Sequence, residues 1–246
     1  MAVALVVVAC TAGPAGLSLD GRRFLSTSVT ADGVVRPLVA GTRVSLGFAD
    51  GHLSASAGCN TLGAAYRIED GRLRISGAGQ TEMGCDPDRQ AQDEWLFGLL
   101  GSGPVIALAG DELALEADGL VVRLLDREVA DPDLPLIGPT WTVVSVIRGD
   151  SVSSVPEGLL ATLSFEADGR VRIATGCNEG AATVAVADGT LRFRDVALTK
   201  RACPGPPAEL ESDVLAVLRA DAVSFTIDAR TLELRAGERG LQLSGG

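Results

Sequence analysis

The amino-acid sequence predicts an α+β chain of two tandem copies of one small domain, each an antiparallel sheet packed by a single helix. Three observations carry this. Gly58-Cys59-Asn60 with a second cysteine at Cys85 returns as Gly176-Cys177-Asn178 with Cys203, each cysteine displaced by the same 118 residues. Asp-Gly pairs punctuate both halves between stretches of alternating apolar and polar residues, as hairpin turns between half-buried strands do. One longer segment in each half follows a proline start and carries apolar residues at helical spacing.

The chain has 246 residues, room for two domains of about 110 residues each. Residues 1–16 stand apart: an apolar run from Ala2 to Ala9 ends at Cys10, and Thr11 to Gly16 are small or turn-forming. The first domain is expected over 17–128, a short stiff linker with Asp131-Pro132-Asp133 and Pro135 over 129–135, and the second domain over 136–246. Asp50-Gly51, Asp70-Gly71 and Asp118-Gly119 mark turns in the first copy, Asp168-Gly169 and Asp188-Gly189 in the second. Val44, Leu46 and Phe48 alternate with polar or small neighbours, and so do Val171 and Ile173, while Leu191 and Phe193 answer Leu73 and Ile75. Those are strands with one buried face.

Asp86-Pro87 caps and starts a helix to about Leu100, with Leu96, Leu99 and Leu100 as its apolar stripe and Trp95 beside them. Pro206-Pro207 starts its counterpart, ending near Arg219, with Leu210, Val214, Val217 and Leu218. Three further short strands follow each helix, over 105–108, 112–116 and 121–125, then 224–227, 231–235 and 240–243. From Asp50 against Asp168 onward the copies align at 118, and before it at 117, so one residue is inserted in the turn after Phe165. Turns absorb insertions at least cost.

The net charge of -11 comes from scattered carboxylates, and Lys200 is the single lysine. Such a surface repels phosphate backbones and argues against a nucleic-acid partner. Carboxylates on the helices (Asp93, Glu94, Glu209, Glu211, Asp213) read as the polar face opposite the apolar stripe rather than as an acid/base pair. Thr199-Lys200-Arg201 is the one clustered basic spot, read as a surface ion-pair site.

Gly58-Cys59-Asn60 leading to Tyr66, then Thr81-Glu82-Met83-Gly84-Cys85 just before the helix, resembles the META domain of HslJ-like envelope lipoproteins. Leu136-Ile137-Gly138-Pro139-Thr140-Trp141 reproduces the opening strand of that family, and Leu19 to Phe24 follows it with Phe for Trp. The second copy departs from the pattern with Val184 in place of Tyr66 and Arg201 in place of Met83. The resemblance covers nearly everything from residue 17 onward. It implies a small, cracked β-barrel closed by a helix, found in bacterial envelope proteins linked to stress. It implies no catalytic residue and no cofactor.

Val7-Val8-Ala9-Cys10 resembles a bacterial lipobox, in which Cys10 becomes the lipidated first residue and anchors the chain to the membrane. The run before it is short and has no basic start, which a start codon placed too late would explain. Cleavage a few residues later with secretion, and a fortuitous cysteine in a cytoplasmic protein, are the alternatives. In an oxidising compartment Cys59 with Cys85 and Cys177 with Cys203 read as one disulfide per domain, with paired buried thiols as the alternative. A loop of that size stabilises its domain by roughly 3 kcal/mol on the chain-entropy model. Structural zinc needs four ligands, and each copy offers two cysteines in a chain with one histidine. That histidine, His52, falls at a hairpin turn, with Arg170 as its counterpart, so it reads as a solvated turn residue and not as the base of a Cys-His enzyme.

Asn60 and Asn178 read as side chains that bond nearby backbone and hold a bend. The expected function is that of a non-enzymatic, lipid-anchored binding or structural module of the cell envelope, whose partner is an envelope protein or an apolar ligand. A carrier of an acyl chain in the barrel, lined by Val44, Leu46, Leu73 and Ile75, is the alternative, and a hydrolase a more distant one.

Overall fold

The computed structural model describes residues 18–246, and the expectations for residues 1–16, Cys10 among them, lie outside the described residues. The chain divides into two compact units, one ending at Ala130 and the other beginning at Asp131. Each is built on the same plan.

In the first unit β1 (Arg22–Ala31) turns into the two-residue β2 (Val34–Val35), and then β3 (Ser45–Ala49), β4 (His52–Ser56), β5 (Thr61–Glu69) and β6 (Arg72–Gln80) run as a meander. The helix α1 (Pro87–Gly101) interrupts it before β7 (Val105–Ala109), β8 (Glu112–Ala117) and β9 (Leu120–Asp126), and the short α2 (Arg127–Ala130) ends the unit. The sheet order is β2-β1-β3-β4-β5-β6-β7-β8-β9, all antiparallel, and β9 returns to pair with β1. Eight strands therefore close on themselves, with β2 as a flap on β1.

The second unit repeats this with β10 (Thr140–Arg148), β11 (Ser151–Ser154), β12 (Thr162–Phe165), β13 (Arg170–Ala174), β14 (Glu179–Ala187) and β15 (Thr190–Leu198). The helix α3 (Pro206–Leu218) precedes β16 (Val223–Asp228), β17 (Thr231–Ala236) and β18 (Arg239–Gly245), and β10 pairs with β18 to close the barrel. The crack that the resemblance implies is a seam. β6 meets β7 at the single pair Arg72–Val105, and β15 meets β16 at two pairs, because the helix inserts between those strands.

The turns follow their dipeptides. Asp50-Gly51, Asp70-Gly71, Asp118-Gly119 and Asp188-Gly189 all have both residues at positive φ, the tight turn that suits twisted antiparallel strands. After Phe165 the inserted residue changes the turn. There only Gly169 has positive φ, and its N–H donates to the Glu166 carbonyl at 3.1 Å.

The alternation places one face of each strand inside. Leu46 and Phe48 from β3, Leu53 and Ala55 from β4, Leu73 from β6 and Leu113 and Leu115 from β8 meet Leu96, Leu99 and Leu100 of α1 in one core. The second core is the same construction around Trp141, Leu163, Val171, Ile173 and Leu191, closed by Leu210, Val214, Val217 and Leu218 of α3. Trp141 is wholly buried yet donates its indole N–H to the Leu136 carbonyl at 2.9 Å, which explains a tryptophan in the opening strand.

Candidate functional site

The paired cysteines are joined within each unit: Cys59 to Cys85 with Cα atoms 6.2 Å apart, and Cys177 to Cys203 at 5.9 Å. Each bridge ties the turn between the second and third meander strands of the barrel to the segment that leads into the helix. The Gly-Cys-Asn turn beside it is held by a network of side-chain hydrogen bonds in each unit.

In the first unit Gly58 sits at φ +139°, and a Cβ there would lie 2.7 Å from Thr42 Cγ2. The turn exposes several backbone N–H groups to the interior, and α1 supplies their acceptor. Asp93 Oδ2 accepts from Asn60 N at 2.5 Å, while Oδ1 accepts from Ala57 N at 3.3 Å and Cys59 N at 3.4 Å. Its neighbour Gln92 accepts from Val39 N at 2.8 Å and donates to Thr42 Oγ1 at 2.7 Å and to the Ala57 carbonyl. Asn60 then reaches outward: its Oδ1 accepts from Thr81 Oγ1 at 3.0 Å and Met83 N at 2.8 Å, and its amide donates to Cys59 Sγ at 3.4 Å. Helix, turn and disulfide segment are thus locked together.

The second unit reaches the same geometry by different chemistry. Thr175 replaces Ala57, Glu211 replaces Asp93, and the apolar Leu210 replaces Gln92. The hydroxyl of the fully buried Thr175 accepts from Asn178 N at 2.9 Å and Cys177 N at 3.4 Å, and donates to Glu211 Oε2 at 2.5 Å. Asn178 accepts from Thr199 Oγ1 and Arg201 N, both at 2.7 Å, and its amide donates to Cys177 Sγ at 3.2 Å and Glu211 Oε1 at 3.1 Å. Here the carboxylate acts through a hydroxyl.

Asp93 and Asp213 correct the reading of the helix carboxylates as a solvated face. Asp93 is 3% exposed and Asp213 is 8% exposed. Asp213 receives the guanidinium of Arg148, through Nε at 3.0 Å and through Nη2, and Arg239 Nη1 at 3.3 Å, so α3 is fastened to β10 and β18. The bonded carboxylate raises the Arg148 guanidinium above its already high ordinary value. Glu211, half-buried, belongs to the turn network, whereas Glu94 and Glu209 do face solvent. The period-3.6 pattern marks which side of a helix is apolar, but it says nothing about the open backbone turn that its flank meets.

Thr199 and Arg201 serve the second turn through a hydroxyl and a backbone N–H, a role the basic cluster Thr199-Lys200-Arg201 gave no sign of. His52 is exposed at the start of β4, with Nδ1 3.1 Å from the Asp50 carbonyl. The prospective ligand-lining residues Val44, Leu46 and Leu73 have no solvent-accessible surface and belong to the packed core, with Ile75 against its rim. Tyr66 packs edge-on against Phe48 at 5.0 Å. Burial, then the nearby Asp20 carboxylate, raise its phenol above the ordinary 10.0.

The network is self-satisfied: the turn N–H groups end on the Asp93 carboxylate in the first unit and on the Thr175 hydroxyl, itself bonded to Glu211, in the second, and each asparagine amide reaches its disulfide. Buried polar groups with complete partners fix a backbone conformation. Among the described residues no helix is long and apolar enough to cross a membrane, and no group of three or more His, Cys, Asp or Glu side chains is placed to hold a metal ion.

Comparison with known proteins gives a family. A solution NMR structure of a protein from Burkholderia xenovorans aligns at 21% identity and TM-score 0.38, covering 44% of this chain and 83% of that one. A second NMR structure aligns at 21% identity and TM-score 0.36, covering 44% and 90%. No curated protein matches the chain. The family model described as META domain matches twice, over 17–129 and 134–244, and the chain therefore belongs to the META domain family and carries two tandem copies of that domain.

Proposed function

We propose that this chain is a non-catalytic binding or structural module of the bacterial cell envelope, working outside the cytoplasm and held at the membrane by a lipid on Cys10. The observation that carries the reading is the disulfide in each META unit, since such bonds form and persist in oxidising compartments. The turn chemistry supports the non-catalytic part. Asp93 is spent on backbone N–H groups, Glu211 on the Thr175 hydroxyl and the Asn178 amide, and the cysteines on each other. The filled barrel favours recognition by the outer surface over carriage of an acyl chain inside.

Mass spectrometry of the chain extracted from native membranes tests both halves together. The expected material begins at Cys10, carries acyl mass on it, and has all four remaining cysteines oxidised. Unacylated protein with four free thiols would contradict the proposal.

A further inference from the structure

We infer that the first unit carries a binding notch on its outer surface for an oxyanion, carboxylate or phosphate, borne on a short alkyl body. The notch arises from the way β1 shares its edge. β3 pairs with it over Arg22–Leu25 and β2 over Thr30–Ala31, leaving Ser26–Val29 between them. The segment 36–44 bridges that gap, held by Arg36 N to the Val29 carbonyl and Ser26 N to the Val44 carbonyl, both at 2.8 Å. Beneath the bridge lies a space of about 550 Å³, within the roughly 300–1,000 Å³ range of small-ligand sites.

Its lining is chemically divided. Arg36, Arg43 and Ser28 bring polar character and Leu38 and Leu125 apolar character to the lining, which includes no carboxylate. Arg36 lies 5.1 Å over the Trp95 ring, which holds it in place without consuming its N–H donors. Arg43 has no ion-pair or hydrogen-bond partner among the described residues. In a chain of net charge -11 the lining of this notch carries two arginines and no carboxylate. Planar guanidinium forks match carboxylate and phosphate oxygens, and the apolar part of the lining rewards an alkyl body.

The second unit does not share the chemistry. With the copies displaced by 117 here, Ser153 and Leu160 stand where the first has Arg36 and Arg43. The notch is a specialisation of one copy.

Calorimetric titration of the full chain with octanoate and octyl phosphate tests this, with acetate and neutral octyl glucoside alongside. At least one octyl anion should bind, and which of the two is tighter names the headgroup. The affinity should fall as salt is raised, and Arg43→Gln should weaken it at least tenfold with the melting temperature unchanged, since Arg43 supports nothing else. Arg43→Lys should fall between the two. The inference is overturned if neither octyl anion binds at millimolar concentration, if acetate or octyl glucoside binds as tightly, or if Arg43→Gln binds as the parent does.

Discussion

The two units solve one backbone problem in two ways. Each has a Gly-Cys-Asn turn whose N–H groups face inward, and each places a carboxylate from its helix opposite them. In the first, Asp93 takes three backbone donors directly. In the second, Glu211 is one methylene longer and acts through Thr175, whose hydroxyl takes two donors and fills the space that Ala57 leaves small. Gln92 ties the first turn to the segment before β3, whereas Leu210 packs at the same position. The glycine, the cysteine pair, the asparagine and a carboxylate on the helix persist in both units. Carboxylate length and relay are exchangeable as a set, because what the turn requires is an acceptor at a place in space and not a particular side chain.

Each unit holds one tryptophan, Trp95 in the first and Trp141 in the second, so fluorescence of single-tryptophan variants follows each unit in the full chain. The largest expected effect is loss of a disulfide. Cys59→Ala with Cys85→Ala should lower the urea stability of the first unit by about 3 kcal/mol while the Trp141 transition stays in place. Next comes the carboxylate. Asp93→Ala leaves three turn N–H groups without their acceptor and should cost about 2–3 kcal/mol, against about 1–2 kcal/mol for Thr175→Ala, which orphans two. Equal costs would mean that the relay does not matter.

The glycines come third. At Gly58 a Cβ meets Thr42 at 2.7 Å with φ at +139°, whereas at Gly176 it meets Leu210 Cδ2 at 3.2 Å with φ at +86°. Gly58→Ala should therefore cost about 2 kcal/mol and Gly176→Ala about 1 kcal/mol. The smallest effect is a pH dependence confined to one unit. Burial and Asp20 raise the Tyr66 phenol in the folded state, so its contribution is complete below the unfolded value of 10.0 and is lost as pH rises through the folded value. The first unit should lose stability on the alkaline side of that window, Tyr66→Phe should remove the loss, and the second unit, with Val184 there, should lack it.

Much of the fold was legible because its devices are local. Asp-Gly turns announce hairpins, Pro87 and Pro206 announce helices, and the doubled cysteines announce the repeat and its staples. Closure of the barrel was not readable from the residues themselves, because pairing of β1 with β9 joins strands about a hundred positions apart and leaves no periodic trace; the family resemblance supplied it. The hairpin of β1 and β2 escaped although Asp32-Gly33 has the same signal as the other turns, with φ of 50° and 78°. A two-residue strand is too short to show alternation. The linker expected over 129–135 begins as helix, since α2 runs from Arg127 to Ala130.

At the turn, Gly58, Asn60, Gly176 and Asn178 were marked by repetition, and the bend-holding role of both asparagines was readable from their chemistry. Asp93, Gln92, Thr175 and Glu211 were missed. A helix carboxylate that caps a distant turn looks like any polar flank until the turn is brought against it. The one available sign was the match of Asp93 with Glu211 at the same displacement as the cysteines.

Residue-resolved amide hydrogen exchange on the full chain and on Asp93→Ala tests the central claim, that the helix carboxylate holds the Gly-Cys-Asn turn. The amides of Ala57, Cys59 and Asn60 should be protected in the parent and exchange rapidly in the variant, with those of Cys177 and Asn178 unchanged. Protection at Ala57, Cys59 and Asn60 that survives the loss of Asp93 would contradict the account.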